Sequence, residues 1–358
     1  MTPYHAANPT DPSIADVASE TVWLEHEKGV RSPYEVSLGE SFRHLLSPDI
    51  VALFGKTASS GPTRIWRLRD VMLDAWIMLL LRQRQPIRET AYLAYQEECD
   101  LARDRPLEQQ PTDPARHHII GSTRARNQYY HWMAQALPAI DWGLRFRPHA
   151  AVTLALPPLL SWQMESLALL GHAGVPRLTL GVREHYCFAS VEFAEFLTAR
   201  LAGIVSFAAA ATYARLRHAV PPATDGADAI YVARTDAAAR RMTNEAALIA
   251  MLEREGVRCL LPGTLPLMRQ LALFRRAKLV IGPHGAGLSN VIGCEPATHF
   301  YELLPAAYAN YCYNRLAQAC GLHYWADVFP MHADASGPTW EVAVDMVAAR
   351  LETIRSRI

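Results

Sequence analysis

KLVIGPHGAGLSNVIG, residues 278–293, joins an apolar strand to a Gly-rich turn and then to a helix-forming run. Gly282, Gly285 and Gly287 permit tight turning and close backbone approach. The free N–H groups and the dipole of a helix start favour an anion there, so the turn reads as a phosphate seat. Neither nucleotide fingerprint fits, because GPHGAG lacks the GxGxxG spacing and no Gly-Lys-Ser/Thr follows. His284 adds a side chain that serves either as a donor near the phosphates or as a ring satisfied by a neighbouring group. Asn290, six residues on, is placed to hold the loop.

The same alternation extends on both sides. AIYVAR (229–234), VRCLL (257–261), KLVIG (278–282), THFYELL (298–304) and LHYWADVF (322–329) read as strands. The segments 244–256, 266–277 and 307–321 separate them, the first two predicted as helices, with Gly256 as the stop of the first. Strands alternating with helices predict a parallel sheet covered on both faces. In such a sheet ligands bind at the carboxyl ends of strands, which puts Arg234 and Glu302 at the predicted cleft. Arg234 is the predicted cation. Arg240 and Arg241 read as solvated. Glu302 reads as a ribose or sugar acceptor, or else as a buried ion-pair partner of an arginine.

Upstream, 1–45 reads as an irregular leader and 64–93 as strands and hairpins. Residues 100–118 read as a loop, 118–122 as a strand, and 126–144 as a helix interrupted near Pro138. A β-α-β run over 150–181 and an Ala-rich helical stretch over 190–217 follow. The predicted domains are 1–220, a linker at 221–228, 229–337, and a C-terminal amphipathic helix at 338–358 placed to pack back on the first domain.

With 358 residues and 50% hydrophobic side chains the chain has material for two cores. Its 35 basic and 35 acidic residues balance, so no net field draws it to nucleic acid or to an anionic membrane. Lys28, Lys56 and Lys278 are its only lysines, which leaves cationic chemistry to Arg. Six scattered cysteines without metal spacing read as free thiols of a reducing compartment. The first residues lack a secretory pattern, and the most apolar run, 76–81, is short for a membrane helix. The expected place is therefore the cytoplasm, with at most peripheral membrane association at the inner face.

GPHGAGLSN (282–290) followed by YELLP (301–305) resembles the signature of glycosyltransferase family 61. NQYYHWMAQALP (127–138) and YVARTDAAARRMTNE (231–245) resemble two further blocks of that family, in the same order. The resemblance covers about 127–305. It implies an α/β, GT-B-like architecture of two Rossmann-like domains facing a cleft, the C-terminal one holding the donor. It also implies inverting transfer of a sugar from a nucleoside diphosphate to a saccharide or other hydroxyl acceptor, without a bound metal, as in capsule or exopolysaccharide assembly. The absence of any Asp-x-Asp in the sequence agrees on the metal.

Under that reading Arg234, Asn244, His284, Gly285, Ala286, Gly287, Leu288 and Glu302 hold the donor, and Gly282 and Asn290 support the loop. Asn244 and Glu245 are equally explained as a helix cap with an acidic first turn. His131, which in YYHW alone reads as a packed core residue, becomes the candidate general base. Where many bacterial members carry an acidic residue four positions after this His, the chain has Gln135. That substitution keeps open a second function, a non-catalytic nucleotide-sugar or glycan-binding partner. A nicotinamide-dependent oxidoreductase is disfavoured by the spacing of the Gly-rich turn.

Overall fold

The computed structural model describes residues 11–25, 34–55, 62–106, 108–145, 147–201, 205–235, 240–334 and 337–358. The first ten residues of the expected leader, Lys28 and Lys56 lie outside them. The fold is mixed α/β, in two compact units. One comprises 1–28 and 60–212, the other 29–59 and 213–358.

The second unit carries a parallel sheet built from β1 (Val36–Leu38), β2 (Ala229–Val232), β3 (Arg258–Leu260), β4 (Leu279–Pro283), β5 (His299–Pro305) and β6 (His323–Phe329), with α1 (Glu245–Arg254), α2 (Leu267–Arg276), α3 (Cys312–Cys320) and α4 (Val344–Arg355) between and after them. The strand order is β3-β2-β4-β5-β6-β1. All neighbours are parallel, with Tyr231 beside Ile281, Ile281 beside Tyr301, and Tyr301 beside Trp325. From β2 onward the chain first adds β3 on one side, then β4, β5 and β6 on the other. The reversal falls between β2 and β4, which makes their carboxyl ends the topological switch point where doubly wound sheets bind ligands.

Strands buried on both faces read as continuous apolar runs. Accordingly Leu279–Pro283 and His299–Pro305 are buried throughout. Tyr231, Leu248, Leu252, Ile281, Tyr301, Trp325 and Phe329 form one core with Val347, Leu351 and Ile354 of α4. The last three sit at i, i+4 and i+7, one helix face. The buried face of α4 thus belongs to the core of the second unit. The predicted helix also starts later than expected, because Gly337–Trp340 is a strand paired antiparallel with Met331–Asp334.

In the first unit the sheet has nine strands among the described residues. Its parallel part is His185–Ala194, His117–Ile120, Val152–Leu156 and Arg177–Thr179, and Thr63–Asp74 adds to it antiparallel along His185–Ala194. The unit is therefore a mixed sheet with a large antiparallel extension. Nine paired positions, His185 with Asp74 through Ala194 with Ile65, make a strand whose last five residues, 190–194, belong to the stretch expected to be helical. Cross-strand packing overrides local propensity there. The helix of that stretch begins only at Ala210.

Three further expectations change. Residues 96–104 are helical, with Cys99 and Ala102 buried, and Gln109–Pro111 pairs with His185–Ala194. Ala18–Glu25, inside the expected leader, pairs with Thr63–Asp74, while β1 extends the edge of the parallel sheet. Residues 221–228 lie inside the second unit. Ala223 N–H donates to Ala272 O, and Asp225 pairs with Arg269 and accepts from Arg258 through its carbonyl. A Pro- and Gly-rich stretch is thereby tied down rather than left as a linker.

The helix expected over 126–144 runs from Tyr129 to Leu144 and widens at Trp132–Ala136, where Leu137 N–H bonds to Trp132 O, five residues back. The interruption comes before Pro138, as a π turn of the kind that often accompanies functional sites. Among the described residues no helix is long and apolar enough to cross a membrane. The six cysteines are free thiols, four of them buried.

Candidate functional site

The turn after β4 meets Arg234 at the switch point. Arg234 lies two residues beyond β2, and its guanidinium Nη1 donates to His284 O at 2.8 Å. Its backbone N–H donates to Glu245 Oε1 at 2.8 Å, and the same oxygen accepts from Tyr231 OH at 3.0 Å. Glu245, only 6% exposed, therefore anchors the end of β2 from the first turn of α1. Burial raises the Tyr231 hydroxyl far above its ordinary pKa, as does the adjacent carboxylate, which keeps that hydroxyl a donor.

Gly285 exists for Arg234. A Cβ built there would lie 2.6 Å from both Arg234 Cδ and Nε. Its φ of 178° is ordinary extended backbone, so the constraint is steric and local. Gly282 is equally tight for another reason, since its Cβ would press on Leu288 Cδ2 at 2.8 Å and Val232 Cβ at 3.1 Å.

His284 is 5% exposed, and both its ring nitrogens are engaged. Cys312 N–H donates to Asn310 Oδ1, which orients the Asn310 amide so that Nδ2 faces His284 Nε2 at 3.2 Å. Nε2 therefore accepts, and the ring proton sits on Nδ1, donated to Glu302 Oε1 at 2.5 Å. Glu302, with no exposed surface, accepts on its other oxygen from Tyr324 OH at 2.6 Å. Burial raises the Tyr324 hydroxyl far above its ordinary pKa, and the neighbouring Glu302 adds to this, so it stays a donor. Tyr313 OH, likewise held protonated by burial, donates to Gly285 O at 2.6 Å.

These contacts give several expected ligands partners inside the protein. His284 and Glu302 form an internal chain that holds the turn, and the partner of Glu302 is a histidine rather than an arginine. Leu288 is fully buried, and its N–H is used by Gly285 O at 3.0 Å. Asn244 spends both ends of its amide on Val342, accepting from its N–H at 3.1 Å and donating to its carbonyl at 2.8 Å. Asn290 donates to Gly287 O and to Gln270 Oε1, at 3.0 and 2.9 Å, and so braces the loop from inside.

The turn faces outward at Ala286, which is exposed, and Gly287, which is half-buried. Both lead the 3-10 helix Ala286–Gly293, whose first N–H groups precede any intrahelical acceptor. Beside them stand the half-buried Arg234 and the exposed Tyr308, whose ring packs edgewise on His284 and carries Arg240 3.8 Å over its face. Arg241 is exposed. Sequence reading missed Tyr308, Asn310, Tyr313 and Tyr324. No local motif marks them: Tyr308 and Asn310 lie between β5 and α3, Tyr313 on α3 and Tyr324 on β6.

In the first unit, His131 Nδ1 lies 2.7 Å from Tyr92 OH and 3.0 Å from Gln135 Oε1. Gln135 Oε1 also accepts from Tyr92 OH, and Gln135 Nε2 donates to Leu201 O. Burial lowers the pKa of the imidazole, partly offset by the Gln135 contact. The i, i+4 pairing of 131 and 135 is as expected, and Tyr92 is a partner that the sequence did not announce.

Among the described residues no three His, Cys, Asp or Glu side chains converge as a metal-binding set. A family model described as Glycosyltransferase 61 matches residues 129–301. No curated protein matches the chain.

Proposed function

The chain carries a glycosyltransferase family 61 domain over residues 129–301, and from that premise we propose an inverting, metal-independent transfer of a sugar from a nucleoside diphosphate to a saccharide or other hydroxyl acceptor. The observation that carries the reading is the junction of Arg234 with the turn 284–287 at the switch point of the parallel sheet. The main-chain N–H groups of Ala286 and Gly287 and the Arg234 guanidinium are the groups available to a pyrophosphate. Together they offset the negative charge that develops on the leaving diphosphate. A charged hydrogen bond of this type is worth about 1.5–3 kcal/mol.

In this reading the architecture is GT-B-like in its division of labour, the second unit binding the donor and the first supplying the base. The acceptor oxygen forms its bond to the anomeric carbon as the bond to the diphosphate breaks. His131 Nε2 takes the acceptor's proton, a contribution of roughly 10²–10⁴ in rate. The setting we propose is capsule or exopolysaccharide assembly at the inner face of the cytoplasmic membrane.

The experiment is a panel of nucleotide sugars with saccharide acceptors, read as release of nucleoside diphosphate with and without EDTA. Release that survives chelation and inverts the anomeric configuration supports the proposal. Release that stops on chelation removes the metal-free mechanism. Binding without release by any donor and acceptor pair leaves the non-catalytic reading.

A further inference from the structure

We propose that Tyr92 and Gln135 together act as the orienting group of His131, holding its proton on Nδ1 and leaving the Nε2 lone pair as the basic site. The catalytic consequence rests on the reading of His131 as the base, but the assignment of the proton stands on geometry alone.

The argument starts at the far end of the glutamine. Leu201 O is a carbonyl and only accepts, so the atom of Gln135 that meets it is the NH2 group. The amide orientation is thereby settled, and Oε1 faces His131 and Tyr92. Oε1 also only accepts. Its 3.0 Å contact with His131 Nδ1 is attractive only if Nδ1 carries a proton, since two lone pairs would otherwise oppose each other. Tyr92 closes the arrangement. Its single proton goes to Gln135 Oε1, and its oxygen accepts from Nδ1–H at 2.7 Å. All three close contacts are then donor to acceptor. The other tautomer leaves at least one of them without a proton.

A carboxylate at position 135 would not do this job here. It would set an anionic oxygen against Leu201 O, where the amide now donates. Gln135 is 1% exposed and Tyr92 1% exposed, so water does not repair such a mismatch. The uncharged glutamine is thus matched to its surroundings, and the phenol of Tyr92 supplies the second contact that fixes the ring. Tyr92 comes from the turn after Arg88–Thr90, outside the segment in which the histidine lies. Neither residue touches substrate in this account, so both are positioning residues.

The test is long-range proton–nitrogen correlation on the full chain with 15N-labelled histidine, the His131 signal being assigned by its loss in His131→Gln. The expected pattern has a protonated Nδ1 and an unprotonated Nε2 at pH 7.5. Tyr92→Phe is expected to give a mixture of tautomers and to lower kcat by roughly three- to tenfold, the loss of one hydrogen bond, with KM unchanged. A wild-type ring protonated on Nε2 overturns the assignment, whatever the turnover. So does a Tyr92→Phe protein with both tautomer and kcat unaltered. A protonated Nδ1 in a protein whose turnover survives His131→Gln overturns the base reading and leaves the assignment standing. If Tyr92→Phe does not fold, the wild-type spectrum decides by itself.

Discussion

Replacing Gly285 by alanine adds a single methyl group, and the structure says where it goes. The new Cβ would lie 2.6 Å from Arg234 Cδ, 2.6 Å from Nε and 3.1 Å from Cζ. Carbon atoms at rest stay about 3.5–4 Å apart, so the arginine must retreat by about 1 Å. Its 2.8 Å bond to His284 O then stretches beyond hydrogen-bond range. The backbone is indifferent, because φ at 285 is 178°. The loss is one charged hydrogen bond and the aim of the guanidinium, about 1.5–3 kcal/mol, or roughly 10- to 150-fold in the dissociation constant of a nucleoside diphosphate. Calorimetric titration measures it, with thermal melting as the fold control. The decisive form is a double-mutant cycle. In an Arg234→Ala background the three nearest atoms that the methyl would meet, Cδ, Nε and Cζ of Arg234, are gone, so Gly285→Ala should there cost almost nothing. Equal weakening in both backgrounds, or none in either, refutes the reasoning.

Three other outcomes follow from the same geometry. Gln135→Glu should destabilise the first unit by about 1–3 kcal/mol in chemical denaturation, since Leu201 O loses its donor at a buried site, and a stability unchanged at pH 7.5 would contradict the bonding described. Because burial lowers the His131 pKa, the acidic limb of kcat/KM should fall below about pH 6.5 in the wild type; a limb above 7 would exclude His131 as its source. His299 is held at about 4, chiefly by burial and then by the stacked His323. Its unfolded form takes up a proton first, so stability is full above about pH 6.5 and declines toward pH 4, by up to about 3 kcal/mol in total. His299→Gln should flatten that decline in thermal melts, and parallel wild-type and variant curves would dispose of the attribution.

The second half of the chain was legible because its physics is local. Continuous apolar strands such as KLVIG and THFYELL, separated by helices, mark a parallel sheet, and Arg234 at a strand end was placed by the rule for such sheets. The Gly256 stop was also readable, and it adopts a φ of 72° after α1. The rest depended on pairing at a distance. Residues 190–194 look helical until Thr63–Asp74 lies beside them, and Ala18–Glu25 shows no period until it too joins that strand. The candidate site divided in the same way. The turn glycines could be read from spacing and the position of Arg234 from its strand end, whereas the Tyr324 contact that completes the internal partners of Glu302 comes from a strand outside every quoted motif. Tyr92 was invisible for the same reason, lying 39 residues before the ring it orients.

The claim on which the account turns is that the main chain at 286–287 receives the diphosphate. Amide resonances of Ala286 and Gly287, followed while a nucleoside diphosphate is titrated into protein labelled at alanine and glycine, report on that contact directly. The account predicts large, saturable shifts at both amides that are much reduced in Arg234→Ala. Saturable binding that leaves both amides unmoved would contradict it.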